Sequence, residues 1–394
     1  AVTLDIETIR SETPGCSKGN HLLACGSALM PTRVLRTVQD FLTLESELGG
    51  YEAAALRSDQ LDAVYSSVAR LIGAEPQEIA LLENATAAWS QAFYSFPFER
   101  GDRVLTCEAE YGANYVAMLQ RAKRDGIEIG VVPSNASGAV DLDALRSMID
   151  DRVRMISLTW IPTNGGLVNP AAEVGAIARE HGIFYLLDGC QAVGQMPVDV
   201  TDLGCDAFSA TGRKFLRGPR GTGFLYLKAQ HLESFEPVMI DHFGAEWVET
   251  DRYELRPDAR RFENWENAYA LRAGLGAAVD YALSLGLADI QARAWSLADR
   301  LRDGLGDLPG ATVTDIGSVQ SAIVSFTVEG LDPRPTVDAL RLRGISIGAS
   351  GPSSTRLDSE RRSLPTLMRA APHYYNTDSE VDALVTALGN HPRG

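Results

Sequence analysis

The chain has 394 residues, 45% of them hydrophobic and 22% charged, a balance that suits a folded protein of about two domains. Its formal net charge of -16 opposes a nucleic-acid or anionic-membrane partner. No apolar run approaches the roughly 20 residues that span a bilayer. The opening AVTLDIETIRSETPG lacks the basic start and apolar stretch of a secretory signal, so the expected location is cytoplasmic. Five cysteines (Cys16, Cys25, Cys107, Cys190 and Cys205) without CxxC spacing suit reduced thiols, and six scattered histidines without HExxH argue against a metal centre.

From residue 78 to 228, short apolar or β-branched runs alternate with helical patterns. In chain order the runs are EIALLEN (78–84), DRVLTCEAEY (102–111), IEIGVVPS (127–134), RMISLTWI (154–161), IFYLLDG (183–189), CDAFSAT (205–211) and GFLYLK (223–228). Between them lie NYVAMLQRAKRDG, VDLDALRSMIDD and NPAAEVGAIAREHG, several of which begin with Asn or Asp and end in Gly, as helix start and stop signals do. The alternation predicts an α/β fold with a mostly parallel seven-stranded sheet covered on both faces. Beyond residue 255 long helical stretches precede short strands at SAIVSFTV and ISIGAS and a last helix at SEVDALVTALG. The expected division is a large domain at 31–255 and a smaller α+β domain formed by 1–30 and 256–394.

In parallel α/β sheets ligands sit beyond the carboxyl ends of the strands, so Tyr111, Trp160, Asp188 and Thr211, which end four runs, should converge. ENATAAWSQAF places Ala85 and Thr86 at a helix start, where free N–H groups and a hydroxyl suit a phosphate; a plain helix cap fits that stretch as well. Asp188 closes the apolar run IFYLLD, where a carboxylate needs a cationic partner such as a protonated pyridine nitrogen, or else caps the next helix. Gln191, three residues on, suits a ring hydroxyl or an exposed helix face.

Lys214, in ATGRKFLRGPRGTGFLYL, is one of only four lysines against 32 arginines. A lysine amine beside Arg213 and Arg217 is set to lose its proton and act as a Schiff-base nucleophile. The glycines of GPRGTG are expected to let backbone N–H groups approach an anion. A solvated lysine in a basic loop is the plainer reading of Lys214 alone.

A helix-start phosphate site, a strand-end aromatic, Asp–x–x–Gln and Thr–x–Arg–Lys, in that order, describe a pocket for pyridoxal 5'-phosphate. The DGCQA and TGRKFLRGPRGTGFLY stretches resemble the class V aminotransferase family of the aspartate-aminotransferase fold (fold type I). The resemblance implies that Lys214 forms the imine with the cofactor, Asp188 pairs with its ring nitrogen, Gln191 with its ring oxygen, and Tyr111 stacks on its face. Thr86, with Ala85 beside it, Thr211 and Arg213 would hold the phosphate. Arg369, in MRAAPHYYNTDSEVDAL, would clamp the carboxylate of a small amino-acid substrate. Trp265 and Glu266, in FENWEN, match the segment that reaches a neighbouring subunit's cofactor in family homodimers. Family members commonly have His where Arg213 stands, Asn where Trp160 stands and a second Thr where Ala85 stands, so Trp160 is placed beside the cofactor as a shaper of the substrate pocket.

Cysteine desulfurases of the family carry a cysteine on a loop before the carboxylate arginine, and GISIGASGPSSTRLDSERRSLP has none. GGYEAA, EYGANYVAML and RKFLRGPRGTGFL are similar to isopenicillin N epimerase-like proteins and hercynylcysteine sulfoxide lyases. The expected reaction is a C–S β-elimination in specialised metabolism. Epimerisation, transamination and decarboxylating oxidative deamination stay open on the same scaffold, and a non-enzymatic anion binder is the rival from another class.

Overall fold

In the computed structural model, which describes residues 4–393, all seven expected runs form strands of one sheet. They are β1 (Ile79–Leu82), β2 (Arg103–Cys107), β3 (Glu128–Val132), β4 (Val153–Thr159), β5 (Phe184–Asp188), β6 (Ala207–Thr211) and β7 (Gly223–Leu227). Their spatial order is β1-β7-β6-β5-β4-β2-β3. Strands β2 to β6 run parallel, and β7 opposes both of its neighbours. Every residue of β5, β6 and β7 is buried, which explains the unbroken apolar runs: helices cover both faces.

A second, antiparallel sheet has the order β8-β9-β11-β10, from Ala311–Val313, Val324–Val328, Leu367–Ala370 and Gly348–Ser350 respectively. The N-terminal segment joins this smaller unit. Asn20–His21 pairs in parallel with Ile345–Ser346, the Ala371 N–H donates to the Leu22 carbonyl and the Ala24 N–H to the Ala371 carbonyl.

Residues 256–285 depart from the expected division. Glu263 accepts from the Leu81 N–H at 3.0 Å, and Arg272 donates to the Leu81 carbonyl at 2.9 Å, both on β1. The helix Tyr269–Leu285 packs on helices Thr32–Leu48 and Ser58–Ile72, so close that a Cβ at Gly276 would lie 2.8 Å from Val64. This stretch therefore belongs with the large sheet. A change of sequence texture at residue 255 marks a change of secondary structure and not of packing partner.

Arg217 ties the ends of the chain to the loop after β6. It is 1% exposed and has a left-handed backbone, φ 64°. Its guanidinium donates to the Leu29 carbonyl (2.8 Å), the Tyr374 hydroxyl (2.7 Å) and the Thr13 hydroxyl (2.6 Å), beneath the rings of Tyr374 and Tyr375. No carboxylate pairs with it among the described residues. Hydrogen bonds and ring faces alone hold this charge. Arg217→Lys keeps the charge but cannot reach three acceptors with a planar fork. The expected loss is about 3 kcal/mol, at roughly 1.5–3 kcal/mol for each bond to a charged group. A urea midpoint of the apoprotein lowered at unchanged slope would record it.

Candidate active site

A cavity opens beyond the carboxyl ends of β1, β2, β4 and β5. Ala85, Thr86, Tyr111, Asn114, Thr159, Ile161, Thr163, Asp188, Cys190, Gln191 and Lys214 line it. Six of the expected site residues therefore meet in one place: Ala85, Thr86, Tyr111, Asp188, Gln191 and Lys214.

Each is placed by its element. Helix Ala85–Ser95 starts at the end of β1. Asn84 caps it by accepting from the Ala87 N–H at 2.7 Å, which leaves the first turn's N–H groups facing the cavity end. Tyr111 precedes helix Gly112–Asp125 and stands half-exposed at the mouth. Asp188 ends β5, and the chain can turn there because residue 189 is glycine: a Cβ would lie 1.9 Å from the Phe208 ring.

The Asp188 carboxylate is buried and makes no ion pair among the described residues. Oδ1 accepts from the Cys190 N–H (3.0 Å) and Oδ2 from the Asn114 amide (2.9 Å). Burial pushes its pKa above the usual carboxylate range, against the pull of these donors and of the Lys214 charge. Gln191 donates to the Cys25 carbonyl at 3.1 Å, while its own Oε1 is buried without a partner. A carboxylate in need of a cation and an amide oxygen in need of a hydroxyl, on one wall, fit a pyridinium ring bearing an adjacent hydroxyl. Lys214, on the loop after β6, faces that wall from a buried position.

Arg369 lies on β11 at the rim. Nη1 donates to the Thr163 carbonyl (2.8 Å) and hydroxyl (2.5 Å), and Nε is buried with no partner. The Nε edge of a guanidinium is one that a carboxylate engages with two parallel bonds.

Other expected residues stand elsewhere. The Trp160 side chain is in the core, one residue out of phase with the lining residues Thr159 and Ile161. Strand alternation sends neighbouring side chains to opposite faces, and β4 turns Thr159 towards the site. Thr211 is buried behind the cavity, its hydroxyl donating to the Thr222 carbonyl at 3.3 Å. Arg213 reaches the Gly26 carbonyl and does not line the cavity, although its charge is felt at Tyr111 and Cys190. Trp265 is exposed and stacked on His242, away from the cavity of its own chain.

Two expectations about the lysine loop fail. The Arg217 guanidinium is held by the cage described above and does not face the Lys214 amine. In the glycine loop, the Gly212 N–H donates to the Thr222 carbonyl (2.9 Å) and the Gly218 N–H to the Gly212 carbonyl (2.7 Å). The Gly218 N–H of GPRGTG is thus committed to packing the loop on itself and is not free for an anion. The HYYN stretch braces the same loop. His373 meets the Phe215 carbonyl at 2.7 Å, and burial, then the Arg217 charge, pushes its ring down to about 3, so it is held neutral.

Sequence reasoning missed Asn114, Thr159, Thr163 and Cys190 as lining residues, and Glu110 behind them. The cue was that Glu110 lies just before the cap of helix Gly112–Asp125 and Asn114 in its first turn, where the two meet in a hydrogen bond.

The sequence matches the family Aminotransferase class-V over residues 21–384. The chain belongs to the class V aminotransferase family. It is 28% identical over 392 residues to a probable cysteine desulfurase of Methanothermobacter thermautotrophicus, covering 97% of each chain. The cysteine desulfurase CsdA of Escherichia coli superposes with a TM-score of 0.90 at 25% identity, covering 98% of each chain. The cystine C–S lyase C-DES, solved with its product cysteine persulfide, superposes at 0.87 with 23% identity, over 96% of this chain and 99% of that one. Another C-DES structure holds glycine covalently linked to the PLP cofactor. This class V chain is accordingly a pyridoxal 5'-phosphate-dependent enzyme of fold type I, and Asp188, Gln191 and Lys214 are the residues here that fit the cofactor. Lys214→Ala should abolish the visible absorption band of holoprotein. Borohydride reduction of the unaltered protein should leave a pyridoxyl adduct at Lys214, located by peptide mass; an adduct elsewhere would contradict the assignment.

Proposed function

We propose that this class V enzyme is a β-eliminating C–S lyase of a cysteine S-conjugate. The observation that carries the reading is the segment before Arg369. A desulfurase passes sulfur to a protein thiol, and residues 344–365 hold no cysteine. The one thiol lining the cavity, Cys190, is pushed up by burial and is a poor thiolate acceptor. Both "desulfurase" and "C–S lyase", the names of its relatives, describe cleavage of a carbon–sulfur bond.

When bound, pyridoxal phosphate supplies an electron sink that makes the substrate's α-proton acidic. Arg369 holds the substrate carboxylate through its unpartnered Nε edge, with Thr163 fixing the plane of the guanidinium. Lys214 Nζ removes the α-proton. The Cβ–S bond breaks, its electron pair leaves with sulfur, which takes up the proton held by Lys214, and the thiol or sulfenic acid departs through the mouth beside Tyr111. The remaining enamine takes up water to give pyruvate and ammonia. Asp188 keeps its negative charge against the ring nitrogen throughout.

Incubation of holoenzyme with S-methylcysteine and its sulfoxide tests this. Pyruvate and ammonia in equal amounts are expected, and Arg369→Lys should raise KM at least tenfold. Alanine, with the methylthio group left on a protein thiol as a mixed disulfide, would indicate desulfuration instead. Racemised substrate, a keto acid retaining the sulfur, or an aldehyde with carbon dioxide would indicate the other reaction types.

The reading includes a homodimer, supported by the exposed Trp247 on the hairpin strand Ala245–Glu249 and the exposed Trp265 and Met239 on loops. In such a dimer Trp265 and Glu266 face the partner's site. A monomer by light scattering at working concentration would remove that part.

A further inference from the structure

Behind the cavity wall lies a second buried carboxyl group. Glu110 is 2% exposed and makes no ion pair among the described residues. Four donors converge on it. Oε1 accepts from the Tyr111 N–H (2.7 Å), the Asn114 amide (3.0 Å) and the Thr159 hydroxyl (2.6 Å), and Oε2 accepts from the Thr106 hydroxyl (2.6 Å). Asn114 is itself 3% exposed, and the same Nδ2 donates to Asp188 Oδ2 at 2.9 Å. One amide group thus gives its two hydrogens to two carboxylates, one at the cofactor wall and one behind it.

We propose that Glu110 is a positioning residue for the cofactor: through Asn114 it fixes the Asp188 carboxylate and adds a second negative charge that favours a protonated ring nitrogen. The claim rests on pyridoxal-phosphate dependence alone and is the same for every bond that could break at Cα.

The chemistry is specific. A primary amide placed between two acceptors must turn its NH2 towards both, which fixes its rotamer and with it the plane of Asp188. An isolated Asp188 with an apolar group behind it would draw its proton back from the ring nitrogen more readily, because burial already favours its neutral form. A carboxylate one amide away opposes loss of the ring proton by raising the electrostatic cost of a neutral ring. Four donors and no acceptor around Glu110 suit its ionised form. The titratable groups that face it are Asp188 from the end of β5 and the Cys107 thiol from the end of β2, three residues before it.

Burial raises the Glu110 pKa to about 7, against the pull of Thr106 and Thr159, with Asp188 adding a further push. Its charge is therefore present above neutrality and lost below it. Cofactor affinity should rise with pH through about 7, because the ionised form of Glu110 binds a pyridinium better and the protonated form does not. A purely structural Glu110, needed only to cap the Tyr111 turn, predicts no such dependence.

The experiment measures pyridoxal phosphate binding to apoprotein by absorbance and fluorescence from pH 5.5 to 8.5. Glu110→Gln should weaken binding about tenfold above pH 7.5 and flatten the rise through neutrality, while the thermal midpoint of the apoprotein stays close to that of the unaltered chain. Paired with Asp188→Asn, its effect should be strongly non-additive, since it acts through Asp188. Asn114→Ser cuts the link while leaving Glu110 three of its donors, and should reproduce the weakened binding; this variant decides the matter if Glu110→Gln folds poorly. Unchanged affinity and pH profile in both variants, or full additivity with Asp188→Asn, overturns the proposal.

Discussion

A carboxylate at the end of five buried residues is the constraint that organises this site. FYLLD delivers Asp188 to the carboxyl edge of the sheet with no water to solvate it. A buried charge is tolerated only with donors or a counter-ion around it. The protein supplies two donors, the Cys190 N–H and the Asn114 amide, and no cation in ion-pair contact among the described residues. The remaining stabilisation must come from a bound cation, which is why the residue reads as a cofactor contact and not as a helix cap. Gly189 follows from this, since the chain must turn against Phe208 immediately after the carboxylate.

The lysine is held by a different device. Its loop has no regular structure of its own, and the Gly212 and Gly218 N–H groups are taken by neighbouring carbonyls. What fixes it is Arg217, whose guanidinium reaches Thr13, Leu29 and Tyr374, residues 157 to 204 positions away along the chain. His373 adds a bond to Phe215, next to Lys214. The N-terminal segment and the C-terminal HYYN stretch must both be docked before Lys214 faces Asp188. The left-handed backbone at Arg217 fits this view: a conformation unfavourable for an isolated residue persists where surrounding bonds over-determine it.

These two devices account for what the sequence disclosed. All seven strands were legible, because parallel strands covered on both faces must be apolar throughout, and a short apolar run between helix caps has few other uses. Asp188 and Gln191 were legible through a polar residue at the end of such a run. Trp160 was misplaced because an aromatic at a strand end looks like a pocket wall, whereas the pleat turns Thr159 inward and Trp160 to the core. Glu110 was not legible, since a carboxylate in EAEY is by composition a solvated surface group. Only the return of helix Gly112–Asp125 over β2 buries it. The placement of 256–285 failed for the same reason: Arg272 and Glu263 lock to Leu81, a contact across 182 residues for Glu263 that no local pattern encodes.

On the proposed reading, the scaffold shared with desulfurases leaves the fate of sulfur to a single segment. Here that segment is thiol-free and tied down. Asn164 donates to Thr355 at 2.9 Å and accepts from Ser350 at 2.5 Å, Arg361 pairs with Glu108, and the Ser353 carbonyl lies where a Cβ on Gly112 would stand. Its turn and short helix, Arg356–Arg361, close against the entrance beside Tyr111. A thiol donor on such a segment would have to move to reach a substrate sulfur; a wall there only has to shape the entrance. The carboxylate arginine, the base and the buried acid are compatible with every reaction of this fold. On the proposed reading the choice among them lies in what this segment lacks, since a leaving group released to solvent needs no protein nucleophile.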